Sequence, residues 1–173
     1  GIRMAKGDWI GIINSDDWYE SNALRLVDGA TKNMDKNQPA VAYGLCRIID
    51  ESGKLNMVIL RTENELLKGV SMLHPSAFIN RAAYSQVGVY STDYPYCADY
   101  DLFLRMKSKG TVFMPIEEIL ANFTEGGVTG SLKSVIDDLR VRKSHGLISG
   151  LEYNLRVILA KVWNKRGRRN VPK

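Results

Sequence analysis

Five consecutive residues without an ionisable group, Trp9-Ile10-Gly11-Ile12-Ile13, run straight into Asn14-Ser15-Asp16-Asp17. An apolar run this short, closed by turn-forming residues, reads as a buried strand of an α/β sheet. Ligands of open α/β sheets sit just past the carboxyl ends of such strands, so this one would aim two adjacent carboxylates at that position. Hard oxygen donors of this kind suit Mg²⁺ or Mn²⁺, which bridge a carboxylate to phosphate oxygens while keeping several waters. The same residues are also good turn and capping chemistry, and Ser21-Asn22-Ala23-Leu24 follows as a capped helix start. Two readings of the acidic pair therefore stand side by side, a metal site and a turn.

At 173 residues the chain is long enough for one domain with its own core, and it contains no internal repeat or low-complexity tract. Apolar positions at helical spacing predict a helix over 22–34 that packs on the sheet. Residues 40–49 and 55–60, on either side of Asp50-Glu51-Ser52-Gly53, read as a β-hairpin. Thr62-Glu63-Asn64-Glu65 fits a capping box ahead of a short helix ending near Gly69. Residues 74–79 read as a short strand, after which Asn80 caps a helix through Val87 with Gly88 as its stop. A polar, aromatic loop over 90–96 leads to a helix over 98–109 closed by Gly110. Strands are predicted over 112–116 and 119–123, and helices over 131–143 and 151–163. The fold class is α/β: a mixed sheet flanked by helices over 1–130, then a helical carboxyl-terminal extension over 131–173. Residues 1–7 read as the last two turns of an amphipathic helix closed by Lys6 and Gly7. A chain rarely starts inside a helix, so an upstream segment is expected.

Cys46 and Cys97 have neither metal-ligand spacing nor a disulfide framework and read as reduced core residues. No apolar run approaches the roughly 20 residues that span a bilayer, and no signal-peptide layout is present, so the expected location is cytoplasmic. Lys161, Lys165, Arg166, Arg168, Arg169 and Lys173 crowd the last thirteen residues, more charge than the net +5 of the whole chain. A solvated terminus explains such a cluster, as does contact with anionic lipid; no nucleic-acid-binding motif accompanies it. Residues 151–163 are amphipathic and run into this basic tail, which suits either a membrane-surface helix or a core-docking helix with a solvated end.

A second constellation is Cys97-Ala98-Asp99-Tyr100-Asp101-Leu102-Phe103-Leu104-Arg105. Asp99 falls in the first turn of a helix, where the macrodipole favours the ionised form. It is a candidate general base, or else it merely offsets the dipole. Asp101 points to nearly the opposite face and stands four residues before Arg105, the spacing of a structural ion pair. It is retained as a second candidate for substrate contact, with His74, which either binds substrate or is a hydrogen-bonded structural histidine. His145 carries no functional signal. Thr124-Glu125-Gly126-Gly127-Val128-Thr129-Gly130 is a candidate mobile loop whose backbone amides suit an anion, or a plain linker.

Residues 5–19 resemble the central segment of family-2 inverting glycosyltransferases of bacterial surface-polysaccharide pathways, where this segment carries the Asp-x-Asp-type nucleotide-sugar motif. Two further segments occur in that family's order. His74-Pro75-Ser76-Ala77-Phe78, followed by the Arg81 helix, looks like the strand and helix lining its acceptor side. Gly126-Gly127-Val128-Thr129 looks like its Gly-Gly-Val/Ile-Ser/Thr segment near the diphosphate. The resemblance spans roughly residues 1–130. It implies a GT-A-like fold and transfer of a sugar from a UDP- or GDP-sugar to a glycan or lipid-linked acceptor, without nucleic acid. It further implies that Asp17 contacts Mg²⁺ or Mn²⁺, that Asp16 meets the ribose or the metal, that Gly126 and Gly127 lie near the diphosphate, and that Asp99 is the base. Family members carry a base-binding half before this point. Ala98 stands where many members have Glu, which removes a second carboxylate from the acceptor side. The alternative is a non-catalytic relative that scaffolds polysaccharide assembly at the inner membrane surface.

Overall fold

The computed structural model describes residues 1–126 and 131–167, with backbone alone at 166 and 167. Among these residues six strands, β1 (Trp9–Gly11), β2 (Trp18–Tyr19), β3 (Ala40–Ile49), β4 (Leu55–Ile59), β5 (Ala77–Asn80) and β6 (Val112–Thr124), form one mixed sheet. The order is β1-β5-β3-β6-β2, with β4 beside the second half of β3. Six helices accompany it: α1 (Ala23–Thr31), α2 (Glu63–Leu66), α3 (Arg81–Val87), α4 (Ala98–Ser108), α5 (Leu132–Ser144) and α6 (Gly150–Gly167).

The apolar, β-branched-rich β3 takes the centre of the sheet, parallel to β6 and antiparallel to β4 and β5. Its side chains alternate between two cores, as the period of two requires. Val41 and Tyr43, with Ala77 and Ile79 of β5, face a large cluster that receives Leu66 of α2, Tyr84 of α3, Phe103 and Met106 of α4, and Val141 of α5. Ala42 and Phe78 face the other way, onto Ala23 and Val27 of α1. Each large side chain buried in this way contributes about 1.5–3 kcal/mol. Val141 is wholly buried, so α5 shares the core of the α/β portion, and α6 packs against α5.

Local signals explain most boundaries. Thr62 and Glu65 complete a capping box at the head of α2. The Asn80 side chain accepts from the Ala83 amide to start α3, and Gly88, at φ +81°, ends it.

Several elements differ from the sequence reading, each for a local reason. β1 is an edge strand of three residues paired only with β5, and Ile12 and Ile13 continue beyond its ladder. Residues 1–7 make a single turn, in which the Met4 and Ala5 amides donate to the Gly1 carbonyl, and Gly7 lacks the left-handed φ of a helix stop. The Arg81 guanidinium takes the carbonyls of Ala5 and Gly7, which ties the segment to α3 in place of further helical bonding. His74–Ser76 forms a 3₁₀ turn, because Pro75 has no amide to give to a ladder, and the strand begins at Ala77. The two predicted strands over 112–123 are one. Ile116 lies opposite Gly44 and Ile119 opposite Leu45, so Glu117 and Glu118 bulge out without breaking β6. Gly44 permits this, since a Cβ there would lie 2.6 Å from Leu120 Cγ and 2.7 Å from the Glu118 carbonyl oxygen.

Among the described residues no helix is long and apolar enough to cross a membrane. Cys46 and Cys97 are free thiols.

Candidate active site

Three segments distant in sequence converge on one cleft of about 890 Å³. Ser71 to Pro75 form one wall, the loop ahead of α4 with the head of that helix forms another, and Ser134, Val135, Asp138 and Arg142 of α5 form the third. Ile12 and Asn14, just past β1, and Phe123, near the end of β6, complete the rim. Tyr90 and Tyr96 add aromatic faces to the lining.

Asp99 stands inside this cleft at the head of α4. Its Oδ2 lies 3.9 Å from His74 Nδ1 and 3.4 Å from the Ser71 hydroxyl, and its Oδ1 accepts from the Tyr100 amide at 2.8 Å. The sequence reading held that the helix terminus would keep this carboxyl readily ionised. Burial overrides that preference and raises its pKa above the ordinary carboxylate value, with His74 and the local backbone amides pulling the other way. A carboxylate so placed is a stronger base than one in water. The neighbouring Cys97 thiol is pushed up to about 12, chiefly by burial, and is no nucleophile near neutral pH.

The loop carrying Asp99 is held from α5. Asp137, nearly fully buried, accepts from the Tyr96 amide at 2.9 Å and the Cys97 amide at 3.2 Å through Oδ2, and from Arg140 at 3.0 Å through Oδ1. Arg140 in turn lies over the ring of Tyr94. One turn further on, Arg142 pairs with Asp138 at 2.7 Å and donates to the Gly69 carbonyl at 2.7 Å. Burial raises the Asp138 pKa, and the Arg142 charge opposes the shift. These residues escaped the sequence reading, which set α5 in an extension. The available signal was the pair Asp137-Asp138 followed by Arg140 and Arg142 on a helix that also carries Leu139 and Val141.

The acidic pair divides into two different side chains. Asp17 is 9% exposed, and both its oxygens are engaged: Oδ1 accepts from the Thr124 amide at 3.0 Å and Oδ2 from the Asn14 side chain at 3.2 Å. Asp16 has an exposed side chain, and only its carbonyl is bound, by the Thr124 hydroxyl at 2.7 Å. Thr124 thus staples the 14–17 turn to the end of β6, and Asn14 links that turn to the cleft rim. Among the described residues no group of three His, Cys, Asp or Glu is arranged around a common metal position.

Asp101 takes no part in the cleft. It is 5% exposed, its Oδ2 binds Arg105 Nε at 2.8 Å, and its Oδ1 meets His145 Nε2 at 2.9 Å. The Arg105 pair is the one the i,i+4 spacing predicts, and with His145 it occupies both oxygens of the Asp101 carboxylate. His145, which carried no signal in the sequence, supplies half of that network. Gly126 sits beside Glu51 of the β3–β4 hairpin at φ +144°, a conformation that favours glycine. Gly127 and the rest of its loop through Gly130 lie outside the described residues, as does the tail over 168–173.

No family model matches the chain, and no curated protein matches it at a significant level.

Proposed function

We propose that the chain is an inverting glycosyltransferase domain of GT-A-like fold, moving a sugar from a nucleotide-diphospho-sugar to an acceptor hydroxyl in cell-surface polysaccharide synthesis. The observation that carries this reading is Asp99, a carboxyl of raised pKa set beside His74 in a cleft whose rim reaches Asn14 of the acidic turn. In the proposed reaction Asp99 takes the proton of the acceptor hydroxyl as its oxygen attacks the anomeric carbon. The bond from that carbon to the diphosphate breaks, the nucleoside diphosphate leaves, and the anomeric centre inverts with no covalent sugar intermediate.

His74 faces the base and orients it, and the tyrosines of the lining offer flat faces to sugar rings. The exposed Asp16 would hold Mg²⁺ or Mn²⁺ together with the donor's phosphates, while Asp17 keeps the turn in shape. A single exposed carboxylate fits an ion whose other ligands are phosphate oxygens and waters, and such an ion, when bound, would stabilise the departing diphosphate charge.

The test is calorimetric titration of UDP and GDP, each with and without Mn²⁺, into wild-type and Asp16→Asn chains joined to the base-binding half that the resemblance implies. Manganese-dependent binding that the substitution weakens at least tenfold supports the reading. Absence of binding overturns it in favour of the second one, a non-catalytic scaffold at the membrane surface, which the exposed apolar side of α6 favours.

A further inference from the structure

The side of α6 turned away from the body is largely apolar from Leu151 to Trp163. Leu151, Leu155, Ile158, Leu159, Val162 and Trp163 are all exposed, from 44% at Val162 to 85% at Leu151. At 100° per residue they fall within an arc of roughly 140° over residues 151–163, an apolar stripe interrupted near its start by Glu152, which pairs with Arg156. The helix is held by its opposite side, where Tyr153, Val157, Ala160 and Asn164 are half-buried and Lys143 of α5 lies 4.8 Å over the Tyr153 ring. Contiguous apolar surface of this kind on a water-soluble fold marks a contact site.

Charge selects the occupant. The exposed Lys161 and Lys165 stand four residues apart along one flank of the stripe. After Glu152 the sequence contains seven basic residues and no acidic one. A second copy docking on the same stripe would leave most of these basic residues without a counter-charge, since Glu152 is the one acid of α6; an anionic surface with an apolar interior satisfies both the stripe and the lysines. Nucleic acid answers the charge but leaves the aliphatic side chains in water. We propose that α6 lies in the interface of an anionic phospholipid bilayer, with its leucine–tryptophan stripe among the acyl chains and its lysines at the headgroups. Because the opposite side of α6 remains on α5, the body and its cleft ride at the membrane surface. This inference is independent of the chemistry proposed for the cleft.

The experiment is vesicle flotation of the full chain with phosphatidylcholine alone and with phosphatidylcholine containing phosphatidylglycerol. The wild type is expected to float with the anionic vesicles only. Replacing Leu155, Ile158 and Val162 together by Gln alters exposed positions, so the melting temperature should hold while partitioning falls at least roughly tenfold. Replacing Lys161 and Lys165 by Gln should lower it by roughly 25-fold, since each basic residue near such a surface contributes about a fivefold factor. Absent flotation, equal flotation with neutral lipid, or flotation that survives the three Gln substitutions overturns the proposal. So does a wild-type dimer by light scattering that the same substitutions convert to monomer.

Discussion

His74 Nδ1 and Asp99 Oδ2 stand 3.9 Å apart, one delivered by the 3₁₀ turn before β5 and the other by the first turn of α4. Both side chains are partly buried in the cleft. The carboxyl is held between opposing influences, burial raising its pKa and the imidazole and backbone amides lowering it, with burial the larger.

Replacing Asp99 with Asn should therefore stabilise the protein near neutral pH. A carboxyl whose folded pKa is raised contributes its full stability below its unfolded value of 3.8, and that contribution is lost as pH rises through the folded value. The Asn variant, neutral throughout, is expected to melt above the wild type near pH 7, with the gap closing toward about pH 3. Thermal unfolding of both across that range reads the sign; an Asn variant that melts lower at neutral pH would mean the ionised carboxylate is the stabilised form.

Removal of Asp137 tests the clamp on the loop before α4. Asp137→Ala leaves the Tyr96 and Cys97 amides without their acceptor and should cost about 2 kcal/mol. Urea denaturation measures the loss, and hydrogen exchange should show the head of α4 opening before the sheet does.

Asp101→Ala separates structure from function. It leaves Arg105 and His145 facing each other without the carboxylate between them, at a cost of about 3 kcal/mol. Nucleotide titration into the variant at a temperature where it is folded should match the wild type. A selective loss of ligand binding without loss of stability would restore Asp101 to the site.

Two glycine substitutions should move stability in opposite directions. Gly29→Ala in α1 meets open space and should stabilise by about 0.5–1 kcal/mol. Gly44→Ala drives a methyl into Leu120 and the backbone of the β6 bulge and should destabilise by about 2 kcal/mol or more. Chemical denaturation of both variants against the wild type decides the matter.

Local chemistry was readable one residue at a time. The capping box at Thr62 and Glu65, the Asn80 cap with its Gly88 stop, and the β3–β4 hairpin each arise from neighbours in the chain, and each formed where those neighbours stood. Pairing was not readable in the same way. The apolar run at Trp9 looked like an interior strand, yet hydrogen bonds to β5 alone make it an edge. Glu117 and Glu118 looked like a break, and a glycine on another strand turned them into a bulge.

The same division runs through the site. Spacing determined that Asp101 would pair with Arg105, and it singled out Asp16, Asp17 and Asp99 as candidates, because turn, cap and i,i+4 relations depend on short stretches of chain. Only the tertiary structure decided that Asp17 is clamped by Thr124 while Asp16 stays exposed, that α5 brings Asp137, Asp138 and Arg142 to the cleft, and that Asp99 titrates high rather than low. The reason is physical: burial and long-range hydrogen bonding are set by what the fold packs against a group, and no stretch of neighbouring residues carries that information.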